Sequence, residues 1–293
     1  MDRGLMSMLR LEVLCFAGTY GLALLCELAR FVTRNAARWY LTVGLTALGW
    51  LVQTAYLVNL GRSQQKVLVT TPFESLLVLS WILALIGLYL MVRSPRQVAV
   101  GLFVLPLVLA LVSVAGRFAA RTAHWDQWGG ATRFWGSVHG VFLLAGAVST
   151  CVAFAAGLMY LVQANRLKHK RPARLGLGLP SLEQSERLNR GAITLAFPLL
   201  TFGLLIGVIL DLAVRGQAAR VPLSWTDPKV VSAGLMWLVF AVLLHARFRP
   251  AMRGRSVMLL TILAFAFLVF TWVGVDVLNL PTAHGSATAR RAS

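Results

Sequence analysis

Eight apolar runs fix what this chain can fold into. They lie at roughly 11–32, 38–60, 73–92, 97–115, 138–164, 191–212, 230–247 and 256–278. Each approaches or exceeds the ~20 residues that a helix needs to cross the hydrocarbon core at ~1.5 Å per residue; the fourth and seventh are the shortest. Lipid offers no partner to backbone polar groups, which leaves only helices and closed barrels. Barrel strands would alternate in short segments rather than run on. Charged residues make up 13% of the chain, about half of the ~25% usual in soluble domains. The expected fold class is therefore an all-α integral membrane protein, a bundle of about eight transmembrane helices forming one membrane region. No clear small-residue cleavage site follows the run 11–32, so it is read as the first helix and not as a removed signal.

The net charge of +18 would suggest nucleic acid in a soluble protein. Here the basic residues cluster between apolar runs and are read as topology, with no nucleic-acid partner; the bilayer and its anionic head groups are the expected surroundings. One set of loops holds Arg30, Arg34, Arg38, Arg93 and Arg96, the short stretches "RLKHKRPAR" (166–174) and "RFRPAMRGR" (247–255), and Arg187 and Arg190. Their density makes this set cytoplasmic, which puts both termini, the loop 116–137 and the stretch "LSWTDPK" (223–229) on the outer face. The segment "LPSLEQSERLNRGA" (179–192) is expected to be a short amphipathic helix leading into span six, with Ser181 as its N-cap.

Catalytic motifs are absent. The sequence contains no G-x-S-x-G, Walker, H-E-x-x-H or Rossmann glycine pattern. Cys15, Cys26 and Cys151 lie in apolar runs with no C-x-x-C spacing, so they read as small apolar residues. Five histidines remain. His139 starts span five and His284 follows span eight, both on the expected outer side. His245 ends span seven near the inner face, His124 lies beside Trp125 in the outer loop, and His169 sits in the basic inner loop as a solvated residue. Imidazole is a common axial ligand of haem iron, and two outer histidines from different helices can clamp one haem. An interfacial histidine with its polar tip in water accounts for the same positions. Trp125, Trp128, Trp135 and Trp225 fit either an interfacial aromatic belt or a flat wall for a porphyrin.

At these residues the chain resembles the cytochrome c assembly family of membrane haem-handling proteins, which includes CcsA, CcmC and HemX-like members. The stretches that carry the likeness occur in the family's order: "TTPFESLLVLSW" (70–81), "WGSVHGVFLLAGAVST" (135–150), "LPSLEQSERLNRGAITLAFPLLTFGLLIGVI" (179–209), "SWTDPKVVSAGLMWLVFAVLLHAR" (224–247) and "VGVDVLNLPTAHG" (273–285). The resemblance implies a division into 1–69, two N-terminal helices; 70–285, the family's membrane domain; and 286–293, a short basic tail. It also implies an external haem site framed by His139 and His284 as axial ligands, with Trp225 and Asp227 orienting the ring. His245 matches an intramembrane histidine of the family. It lies about 15 residues from the outer end of its span, ~22 Å at helical rise, so it cannot share an iron with the other two. The chain departs from the family at its tryptophan-rich segment, where only Trp225, Asp227, Pro228 and Lys229 remain and Val230, Val231 and Ser232 replace the usual continuation.

The function implied is a haem-binding membrane protein of cytochrome c maturation in the bacterial inner (plasma) membrane. It would present haem b at the outer face to apocytochrome c, as at most one component of a haem ligase, together with a partner membrane or periplasmic subunit. A HemX-like regulator or assembly factor of haem biosynthesis, or a structural subunit of a membrane complex, are the alternatives.

Overall fold

A computed structural model describes residues 3–31, 37–64, 71–94, 98–118, 130–170, 178–214, 226–248 and 254–275. Eight α-helices lie among them: α1 Arg3–Leu28, α2 Ala37–Gln64, α3 Pro72–Arg93, α4 Gly101–Arg117, α5 Gly130–Lys168, α6 Leu182–Val214, α7 Pro228–Phe248 and α8 Arg255–Val269. A 3-10 turn, Ala29–Phe31, extends α1, and a π turn, Phe270–Gly274, extends α8. Seven of the helices are long and apolar enough to cross a membrane; α4, with 17 residues, is a shorter apolar helix. Large apolar side chains stand exposed along them, such as Leu195 at 61%, Leu205 at 53% and Ile209 at 63% on α6. Water would penalise such surface and lipid does not, so the fold is an all-α membrane bundle as the apolar runs imply.

The chain divides into two compact units, one of residues 1–127 with 159–184, the other of 128–158 with 185–293. In the first, α1 packs on α2 and α4, and α3 on α2 and α4. Gly49 lets α1 approach α2: a Cβ there would stand 2.6 Å from the Thr19 hydroxyl and 2.9 Å from the Tyr20 ring. Inside this contact sits a polar knot. Tyr20 Oη donates to Gln53 Oε1 at 2.8 Å, and Gln53 Nε2 donates to Leu77 O at 3.1 Å and Ser80 Oγ at 2.8 Å. Such bonds hold membrane helices together because lipid provides no competing partner. Beside it Trp50 and Trp81 stack, 5.5 Å between centroids and 15° from parallel. Trp81 Nε1 donates to Thr54 Oγ1 at 2.7 Å.

The "TTPFES" stretch starts α3 by its chemistry. Thr71 caps the helix, Pro72 occupies the first turn, and Glu74 completes a capping box by reaching back to the Thr71 amide. Both orphan donors are satisfied by this exchange. Val98 bridges Gly178, with the Ala99 amide donating to Gly178 O at 2.8 Å.

In the second unit, Asn189 of α6 donates to Ala153 O of α5 at 2.8 Å. Further along, Trp237 Nε1 of α7 donates to Thr201 Oγ1 at 2.9 Å, with its ring against Phe197. The amphipathic segment before span six is no separate helix. It runs unbroken into α6 from Leu182, with Ser181 Oγ accepting from the Gln184 amide at 3.1 Å as the cap. α5 likewise continues beyond its apolar run at both ends, for 39 residues in all.

Candidate functional site

His139 lies nine residues into α5, and α6 is shaped around it. Its Nδ1 is 2.6 Å from Gly203 O. A carbonyl oxygen only accepts, so Nδ1 carries the proton and Nε2 is left with its lone pair. One turn further along α6, Gly207 leaves room for the ring. A Cβ on residue 207 would meet His139 Cε1 at 2.7 Å and Nδ1 at 3.0 Å. Gly203 plays the same part for Leu143, whose Cδ2 would lie 2.6 Å from an added Cβ. The imidazole is thus oriented by a backbone carbonyl, in the tautomer that a metal ligand needs. Aromatic rings flank this part of the unit: Phe142 tilts against Phe202 at 5.9 Å, and Phe134 meets Trp135 edge-on at 5.6 Å with both rings exposed.

Asp227 starts α7. It is buried, its Oδ1 accepts from the Lys229 amide at 2.8 Å, and its carbonyl accepts from Val231. With Pro228 in the first turn, "DPK" is a helix start: the carboxylate satisfies an orphan donor and proline needs none. Asp227→Ala is expected to cost about 1 kcal/mol of stability in a thermal melt, whereas Asp227→Asn keeps the cap and nearly all of the stability.

His245 is exposed near the far end of α7, 17 residues beyond Pro228, or ~26 Å along the helix. It therefore belongs to a different level from Asp227. His169 is exposed, as its basic surroundings suggest, with Nδ1 2.8 Å from Asn165 O. His124, Trp225 and His284 lie outside the described residues. Among the described residues no three His, Cys, Asp or Glu side chains gather as a metal cage; a haem needs only one or two axial donors.

Sequence reasoning found His139 but not Gly203, Gly207, Thr201 or Trp237. In the stretch "AFPLLTFGLLIGV" Gly203 and Gly207 are one helical turn apart and share a side of α6, whereas Thr201 lies on the opposite side, toward Trp237 of α7. Nothing in residue type announces a backbone carbonyl as the partner of a histidine.

The family described as "Cytochrome C assembly protein" matches residues 69–281. The chain is 27% identical over 257 residues to "Protein HemX" of Brevibacillus brevis, covering 87% of this chain and 91% of that protein. It is 26% identical over 262 residues to "Cytochrome c biogenesis protein CcsA" of Guillardia theta, covering 82% and 84%. Against the CcsA protein of Thermosynechococcus vestitus the identity is 36% over 111 residues, only 37% of this chain and 33% of that one. No solved structure matches.

Proposed function

This chain belongs to the cytochrome c assembly protein family, and from that premise we propose that it holds haem b for cytochrome c maturation. His139 and His284 are the axial ligands, at the outer face of a bacterial inner membrane. The bonded pair His139 Nδ1 and Gly203 O carries this reading, because it leaves Nε2 as the electron-pair donor of a ring seated against Gly207. A solvated interfacial histidine would need neither feature. Asp227 sets the start of α7, two residues in the sequence after Trp225, whose indole would lie against the porphyrin. Bound haem supplies vinyl carbons to which the cysteine thiols of apocytochrome c add; this chain's part is to hold the ring and leave that edge open. A partner membrane or periplasmic subunit would bring the apocytochrome. His245, at its own level, would mark a separate inner position on the haem's route.

The test is a strain of the native host lacking this chain. Haem-stained c-type cytochromes are expected to disappear and to return on complementation. Intact c-type cytochromes would overturn the reading. A second reading is favoured by the match to HemX over nearly its full length and by the shortened tryptophan segment: a regulator or assembly factor of haem biosynthesis. It is supported instead if the same strain keeps its cytochromes and shifts its haem-precursor levels.

A further inference from the structure

In the first unit, two arginines and one glutamate meet where α1 ends and α2 starts; Arg38 among them is half-buried. Glu27 and Arg30 are 5% and 3% exposed, and Arg30 Nη1 is 2.9 Å from Glu27 Oε1. Arg38, on the first turn of α2, interacts electrostatically with both. Its Nε and Nη1 are buried and have no hydrogen-bond partner among the described residues. Thr42 lies one turn on, on the same side of α2. It is 1% exposed, and its Oγ1 also lacks a partner among the described residues. The Glu27 carboxyl stem rests on the first residue of α4: its Cγ and Cδ lie 3.3 and 3.4 Å from where a Gly101 Cβ would stand. α4 itself begins without a side-chain cap. Among the described residues two guanidinium groups thus share one carboxylate, and in the sequence Glu27 is the only acidic residue between Glu12 and Glu74.

Buried donors without an acceptor are costly, and here they sit beside two positive charges that share one carboxylate among the described residues. Arg38 Nε and Nη1 and Thr42 Oγ1 together suit an acceptor with negative charge and several oxygens. We propose that Arg38 and Thr42, with the Glu27–Arg30 pair behind them, form a binding site for a phosphate-type oxyanion. The anion neutralises the excess charge and accepts from Arg38 Nε and Nη1 and from Thr42 Oγ1. The site lies at the ends of the spans Val13–Phe31 and Ala37–Arg62, the depth at which lipid phosphates sit. The phosphate can belong to an anionic phospholipid or be free in solution; the same donors recognise either.

The experiment uses the full chain, purified and delipidated in neutral detergent, at constant ionic strength. Its thermal midpoint is followed while inorganic phosphate is added, and separately while phosphatidylglycerol or phosphatidylcholine is added. At a hundredfold excess over Kd the midpoint is expected to rise by roughly 5 °C. The addition that produces the rise identifies the source. Arg38→Gln is expected to abolish the rise and, with no anion added, to melt higher than the parent, because it deletes the excess charge. Thr42→Val keeps the charge and loses one donor, so it should weaken the response severalfold; it carries the test if Arg38→Gln does not fold. A parent midpoint that none of the three additions moves, or a rise that persists unchanged in both variants, overturns the proposal.

Discussion

Gly207→Val is expected to lower haem affinity ten- to a hundredfold, although every histidine in the chain is untouched. The added Cβ alone would stand 2.7 Å from His139 Cε1, and the two further methyl groups fill the remaining space. The ring must turn, and turning breaks its 2.6 Å bond to Gly203 O. Loss of such an orienting partner typically costs a metal site ~10–100-fold. His139→Ala, which removes the proposed ligand itself, should go further and eliminate the Soret band or shift it to that of a single-ligand haem. Both are read from absorption spectra of purified protein titrated with haem, beside a thermal melt that shows the fold intact. Unchanged affinity in a well-folded Gly207→Val protein would mean that His139 does not bind the iron.

The second large effect belongs to the first unit. Gln53→Ala is expected to destabilise it by roughly 2–4 kcal/mol, because one side chain joins three helices. Gln53 takes the Tyr20 hydroxyl from α1 and gives two bonds to α3. Interhelical bonds in membranes average ~0.6 kcal/mol and reach ~1.7; the orphaned Tyr20 hydroxyl and the space left behind add to the loss. Unfolding in a graded denaturing detergent measures it. A change below about 0.5 kcal/mol would show that the knot rearranges around the substitution.

The helices were readable from sequence because hydropathy reports where lipid lies. Helix ends were less so. The apolar runs 138–164 and 191–212 belong to helices Gly130–Lys168 and Leu182–Val214, since "LEQSERLNR" is polar yet suited to helix and simply continues past the hydrocarbon. The arginines near residues 30–38 read as a topological marker; the i,i+3 spacing of Glu27 and Arg30 permits their pairing but does not announce that the pair is buried. At the candidate site the sequence singles out His139 as a candidate, but not the groups that orient its ring. Gly203 contributes a carbonyl, which every residue has, and Gly207 contributes the absence of a side chain. Asp227, read as a residue that orients a ring, proved to have a local duty as a helix cap.

The stacked pair Trp50 and Trp81 also gives this protein an internal optical reporter. Two indoles 5.5 Å apart and nearly parallel couple their excited states, and the coupling decays steeply as they separate. Circular dichroism in the indole bands should therefore carry a signed couplet that vanishes when α3 lifts from α2. No label is required, and haem absorbs mainly elsewhere in the spectrum. Opening of the first unit can then be timed in the same cuvette in which the Soret band follows haem.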